Sequence, residues 1–416
     1  MERPESGKVY SAAGAGPILS MIAERGTVSR AELVQASGLA RATVTHRLSA
    51  LFRTGLIDEA PETLPSGGRP SRVIRLNRNF AVILAADIGE SHIRLAVSNL
   101  SPEILAETVS EFDMRQGPAP CLDWIVGQFE HLLAKVGRKP AEVLGIGLGM
   151  PAPVDFAGGR VVGPSIMVGW DNYDIRRHLQ EQLGAPVYVE NDVNLMTLTE
   201  ARTKWPNIGQ LVFIKAGTGI GSGIITDGRL YRGSTGAAGD IGHIQFLSDD
   251  APLCRCGKLG CVEARAAGWA IARDLRAKGF DARNARDVIT LAQNNEAEAI
   301  QLVRRAGRVL GEVVADLVSV LNPLVIIIGG TLADAGEHLL SGIREFVYQR
   351  SLPLATRELQ ILAAHSSPRS GLLGAARLVL DSQLGPDRIE QTIERHQRTT
   401  KAPKPAHGHS ALAQTP

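Results

Sequence analysis

Three of the chain's four cysteines fall within eight positions of one another in residues 243–264, HIQFLSDDAPLCRCGKLGCVEA, where Cys254, Cys256 and Cys261 follow His243 and precede Glu263. Thiols and an imidazole this close together serve a disulfide, a redox couple or a metal cage. The N-terminus has no basic start followed by an apolar stretch and a small-residue cleavage site. No apolar run approaches the roughly 18 residues of a membrane span. A cytoplasmic chain without membrane contact is therefore expected, and structural disulfides are rare in that compartment. Metal binding and redox chemistry remain. Cys121 stands apart and reads as an ordinary buried thiol.

Glycine loops at strand ends are the second set of chemically suggestive residues. The stretch from Phe80 to Phe112 reads as strand, tight turn at Asp87–Glu90, strand, turn, strand. QLVFIKAGTGIGSGIITDGRLYRG repeats the pattern, with Gly217, Thr218 and Gly219 in its first turn and Asp227–Gly228 in the next. A third element, NPLVIIIGGTLADAGEHLL, ends a buried strand at Gly329 and Gly330 and is expected to start a helix there, as at a nucleotide or anion site. Each loop alone is weak evidence, because glycines also serve plain turns. The recurrence predicts two related lobes whose hairpin tips face a shared cleft. Helices are predicted at CLDWIVGQFEHLLAKVG, NDVNLMTLTEARTKW and AIQLVRRAGRVLGEVVADLVSVLN, making the body an α/β protein.

The 416 residues allow two or three domains, and 44% hydrophobic residues supply their cores. The net charge of +2 is uneven: Pro17–Arg78 holds nine Arg against five acidic residues. That segment is punctuated as helix, turn, helix. Ser29 and Glu32 form a capping box, Gly38 interrupts, and Val44, Leu48 and Leu51 recur at helical spacing. The buried stripe leaves Ala42, Thr45, His46, Ser49 and Arg53 facing outward, with Arg41 near the helix start, where a recognition helix meets base edges. Ala40 stands where a capping side chain is expected, a loss of about 1 kcal/mol. Two short strands with a GGRP tip would form a wing that lifts Arg69 toward a minor groove. A small helical bundle used for protein contacts is the alternative. Helix, turn, helix and basic wing together favour DNA.

Taken together, DIGESHIR, GIGLGMPAPVD, VENDVNLMTLTEA, GTGIGSGI, GAAGDIGHI, CRCGKLGCVEA and NPLVIIIGG resemble, in order, the ROK family of repressors, uncharacterised reading frames and sugar kinases. The match is to its regulator branch, which carries a winged helix-turn-helix. The resemblance implies an actin-like, ribonuclease H-like two-lobed domain, with a sugar pocket between the lobes and a homodimer or homotetramer. The expected divisions are 1–78 for the DNA module, 79–384 for the ROK domain and 385–416 for a largely disordered tail, with disorder after about Arg398. Lobe one takes about 79–190 plus the C-terminal helix, and lobe two about 191–365.

By the same resemblance, a structural zinc falls on His243, Cys254, Cys256 and Cys261, a Cys3His set that fills a tetrahedral shell and leaves no open position. No C-x-x-C redox pair is present. The family's sugar contacts fall on Asn191, Asp192, Asp240, His243 and Glu263, with Asp240 where the kinases have Glu. Read alone, Asn191 or Asp192 would be a strand-to-helix cap. In the kinases the residue matching Asp192 is the general base.

Asp87, Gly89, Gly217, Thr218, Gly219, Gly329 and Gly330 are remnants of the phosphate loops. Glu90 puts a side chain where backbone amides should approach phosphate, so ATP is expected to bind poorly. The resulting expectation is a sugar-responsive regulator, a repressor, binding operator DNA and a sugar or sugar phosphate. The alternatives are an ATP-dependent sugar kinase and a ligand trap without DNA binding.

Overall fold

The computed structural model describes residues 15–64, 71–89, 92–163, 167, 169–246, 251–364, 367–385, 388, 389 and 391. Arg69 with the wing tip, Glu90 and the chain beyond Arg398 lie outside the described residues. Chain contacts define two units. One is Met1–Val82 with Arg138–Leu144 and Leu380–Pro416, and the other is Ile83–Gly137 with Gly145–Val379.

The first unit follows the N-terminal pattern closely. Helices Gly16–Arg25, Arg30–Ser37 and Arg41–Thr54 accompany a sheet in which Ser71–Leu76 pairs antiparallel with both Thr27–Ser29 and Ile57–Leu64. The capping box forms: Ser29 N–H donates to Glu32 Oε2 at 2.7 Å, and Glu32 N–H donates to Ser29 Oγ at 3.2 Å. These bonds, the backbone one first, hold the Glu32 carboxyl below its ordinary value. Ala40 makes no capping bond. Val44, Leu48 and Leu51 are buried. The Ser20 hydroxyl donates to the Leu384 carbonyl, and Ile389 is buried although it lies in the stretch read as a polar tail.

In the second unit, two five-stranded sheets share one topology. The spatial order is Val187–Asn191, Val143–Met150, Val82–Ile88, His92–Ser98, Ile104–Glu111 in one sheet. In the other it is Gln360–Ala363, Val325–Gly329, Gln210–Ala216, Ile220–Thr226, Arg229–Tyr231. Each sheet is a three-stranded antiparallel meander whose first strand is flanked by two later strands. The hairpin at Asp227–Gly228 turns with both residues at positive φ, as its Asp-Gly pair requires.

The expected helices form as Pro118–Lys135, Asp192–Thr203 and Ala297–Leu321. One expectation needs correction. Gly329–Gly330 does not lead directly into a helix: Gly330, at φ 83, opens a 3-10 turn over Thr331–Ala335, and helix Glu337–Arg350 starts only after Gly336. No helix among the described residues is long and apolar enough to cross a membrane.

The C-terminal helix Ser370–Gln383 lies against Asp192–Thr203, with Thr199 Oγ1 donating to Ser370 O at 2.6 Å. A Cβ at Gly374 would collide with the Leu195 carbonyl. Backbone cannot yield as a side-chain tip does, so Gly374→Ala should lower stability by about 1–3 kcal/mol in urea denaturation. An unchanged midpoint would show that the helix can back away freely.

Candidate functional site

The strand Val187–Asn191 delivers its last residue to the start of helix Asp192–Thr203. Asn191 is the N-cap: its Oδ1 accepts from Val193 N at 2.9 Å and Asn194 N at 3.3 Å, while its Nδ2 donates to Ala152 O. Capping therefore occupies much of the Asn191 amide. Asp192 is buried, and its Oδ2 lies 2.5 Å from Lys215 Nζ.

Glu190, 2% exposed, was not singled out from the sequence and organises the loop. It accepts from Asn191 N and Asn194 Nδ2 through Oε1 and from Arg232 Nε at 2.6 Å through Oε2. The Arg232 guanidinium also sits 4.0 Å over the Phe156 ring. The motif VENDVN contained the signal for Glu190, since an acid inside an apolar strand requires a partner. Lys215 was missed for the same reason, as a lone cation in LVFIKAG.

Asp240 is exposed on the loop that follows Arg232, at the start of the short turn Ile241–His243. Gly239, at φ 101, lets that loop lie directly on the neighbouring strand, because a Cβ there would strike the Ser222 carbonyl. Glu263 lies in the first turn of helix Val262–Ala266; its Oε2 accepts from Ile220 N at 3.1 Å and its Oε1 from Trp269 Nε1 at 3.4 Å. Asn191, Asp192, Asp240, His243, Glu263, Gly89, Gly217, Thr218, Gly219 and Gly330 all line one cavity of about 390 Å³, together with His92, Lys215 and Arg255. Gly329 ends the strand beside it, directly opposite Lys215. This volume suits a monosaccharide-sized ligand.

The His243, Cys254, Cys256 and Cys261 donor atoms lie within 4.8 Å of one another. His243 Nδ1 is 3.8 Å from Cys254 Sγ, and Cys256 Sγ is 3.7 Å from Cys261 Sγ. Three thiols and one imidazole so gathered fit a zinc ion by number and softness of donors. Cys121 is fully buried, and burial pushes its thiol up to about 12, as suits an inert core residue. Arg41, Thr45, His46, Ser49 and Arg53 all lie exposed on helix Arg41–Thr54 of the other unit.

Asp87 is the next-to-last residue of strand Val82–Ile88, opposite Arg94. Burial, and then the Asp192 charge, push its carboxyl up to about 6, against the pull of Lys215 and Arg94. His92 moves below its ordinary value, through burial first and then the Arg94, Lys215 and Arg286 charges. An acid with a raised folded-state value contributes stability below its unfolded value and loses that contribution as pH rises through about 6. Asp87→Asn should therefore melt with the wild type near pH 4 and above it near pH 8, the gap reaching at most about 3 kcal/mol. Equal melting at both pH values would refute this electrostatic cost.

The ROK family model matches residues 83–382. The xylose repressor of Caldicellulosiruptor bescii is 27% identical over 384 residues, which is 88% of this chain and 95% of the repressor. A solved ROK family transcriptional regulator, a homolog of the E. coli MLC protein, superposes with a TM-score of 0.79 at 24% identity, covering 91% of this chain and 98% of its own. The ROK hexokinase from Thermus thermophilus is 30% identical with a TM-score of 0.59, covering 96% of its own chain but 71% of this one. The two regulator matches are long enough to take in the N-terminal module, whereas the hexokinase match is close in extent to the family model alone. By a family match over most of its length and by its fold, the chain belongs to the ROK family.

Proposed function

We propose that this protein is a sugar-responsive, DNA-binding transcriptional regulator, a repressor of carbohydrate genes, and not an enzyme. One combination carries the reading: an exposed polar and basic helix face in a winged module, on the same chain as a carboxylate-lined cleft of monosaccharide size. Arg41, Thr45, His46, Ser49, Arg53 and Arg69 contact the operator, with the short polar groups and arginines reading base edges and phosphates. Asp192, Asp240, His243 and Glu263 hold the sugar, with Asn191 beside them capping the helix that begins at Asp192. The boundaries at 78 and 384 separate reader, sensor and tail. The protein acts in the cytoplasm as a homodimer or homotetramer, because two half-sites require two readers. Xylose and N-acetylglucosamine, named in repressors of similar sequence, are the first sugars to try.

The zinc is structural. Its four protein donors leave no open position for catalysis, and through His243 it anchors one edge of the sugar site. ATP is not needed. A sugar that binds the free regulator more tightly than the operator-bound one must weaken operator binding by the same factor, by linkage.

A gel shift with the region upstream of its own gene, at low salt, should show a complex that one sugar of a panel dissolves. No retardation at low salt would sink the regulator reading, and sugar-dependent ATP turnover abolished by Asp192→Asn would replace it with a kinase. In metal analysis, Cys256→Ser should lose zinc and, in the same preparations, the sugar response. Intact sugar binding in the zinc-free variant would sever the proposed link.

A further inference from the structure

The positive charge of the N-terminal module is partly neutralised within it. Of the nine arginines in residues 17–78, Arg30 and Arg72 both pair with Glu59, and Arg75 pairs with Asp58. No lysine lies in that segment. Duplex DNA presents one charge per about 1.7 Å of helix axis, and each phosphate a protein neutralises adds affinity by releasing a counterion. Cations supplied from elsewhere in the chain would therefore strengthen this module's hold on DNA.

The chain returns to that module after helix Ser370–Gln383. Leu380–Pro416 belongs to the same unit as Met1–Val82. The Ser20 hydroxyl, on helix Gly16–Arg25, donates to the Leu384 carbonyl at 3.2 Å, and Ile389 is buried. The same helix packs against both helices of the reader, Arg30–Ser37 and Arg41–Thr54. Beyond Glu394 the sequence holds four cations and no acid: Arg395, Arg398, Lys401 and Lys404, at every third position. Arg395 follows Ile389 by six residues, a reach of at most about 20 Å, and the four cations can span at most about 30 Å.

We propose that residues 395–404 bind the phosphate backbone of DNA held by the reader, without reading bases. This rests on the DNA-binding reading above and adds a second contact surface to it. Guanidinium and ammonium groups with no acid among them suit phosphate, which asks for positive charge and an N–H donor and carries no sequence information. An anionic membrane would attract the same cations. Their root, however, lies on the reader, so DNA already docked there meets them at high effective concentration, which favours DNA over any free anionic surface. The segment then sets how tightly the regulator holds any DNA, while the helix Arg41–Thr54 sets which DNA it prefers.

The test is fluorescence anisotropy on the full zinc-loaded chain over a salt series. The probes are the duplex upstream of its own gene and an unrelated duplex of equal length. Arg395→Gln, Arg398→Gln, Lys401→Gln and Lys404→Gln combined should make the slope of log affinity against log salt shallower by about 3. Both duplexes should bind about tenfold or more weakly at about 0.1 M salt. Exchanging Arg for Lys and Lys for Arg at the four positions should keep the wild-type slope, because phosphate responds to charge. Arg304→Gln with Arg305→Gln removes two charges from exposed positions of the other unit. That pair should change the slope by less than about 0.5, against about 1.5 to 2 for Arg398→Gln with Lys401→Gln. The inference is overturned if the fourfold variant changes the slope by less than about 1, if its loss is confined to the upstream duplex, or if the two pairs behave alike. An unchanged slope together with lost binding to phosphatidylserine vesicles would assign the segment to a membrane surface and overturn it equally. If the wild type retards neither duplex at low salt, the DNA-binding reading itself fails.

Discussion

A carboxylate taken out of bulk water must find a cation or N–H donors, or it will hold its proton, and the cleft of this protein is organised around that constraint. Glu190 is matched by Arg232 and two N–H groups, Asp192 by Lys215, and Glu263 by a backbone N–H and an indole. Asp87 is the least compensated of the four, and its carboxyl is pushed up to about 6. Arg232, Lys215 and Ile220 come from elements remote in sequence from the carboxylates they meet. Satisfying the charges therefore also fixes how loop, helix and strand meet.

Glu190 illustrates the consequence. With one oxygen it holds the turn into helix Asp192–Thr203, and with the other it holds Arg232, at the base of the loop bearing Asp240. Phe156 stacks under the same guanidinium, and Arg176 donates to the Phe156 and Ala157 carbonyls and to Val187 O. The cleft carboxylates are thus positioned by groups outside the cavity wall. Such outer support sets ligand geometry as firmly as the contacts themselves.

The cysteine-rich segment works in the same way. The guanidinium groups of Arg255 and Arg273 both lie over the Trp269 ring, whose N–H points at Glu263. Glu263 in turn receives Ile220 N–H from the glycine turn. The metal-type cluster, the aromatic ring and the carboxylate form a continuous chain of contacts, with His243 belonging to both cluster and cavity. Four donor side chains thus gather in a segment with little regular structure.

Local chemistry was legible in the sequence by itself. The capping box at Ser29, the buried stripe Val44, Leu48 and Leu51, the hairpin at Asp227–Gly228, the buried thiol of Cys121 and the grouping of His243 with three cysteines all depend on residues close in the chain or on side-chain type. Family motifs in order extended that reading to the cleft. The tertiary structure decided which partner each buried charge takes: Lys215 for Asp192 and Arg232 for Glu190 are pairings across 23 and 42 positions. It also decided that Gly329–Gly330 leads into a 3-10 turn and not directly into a helix. Periodicity and composition report a residue's preference for burial, but an ion pair is a distance between two side chains, and only the folded chain sets that distance.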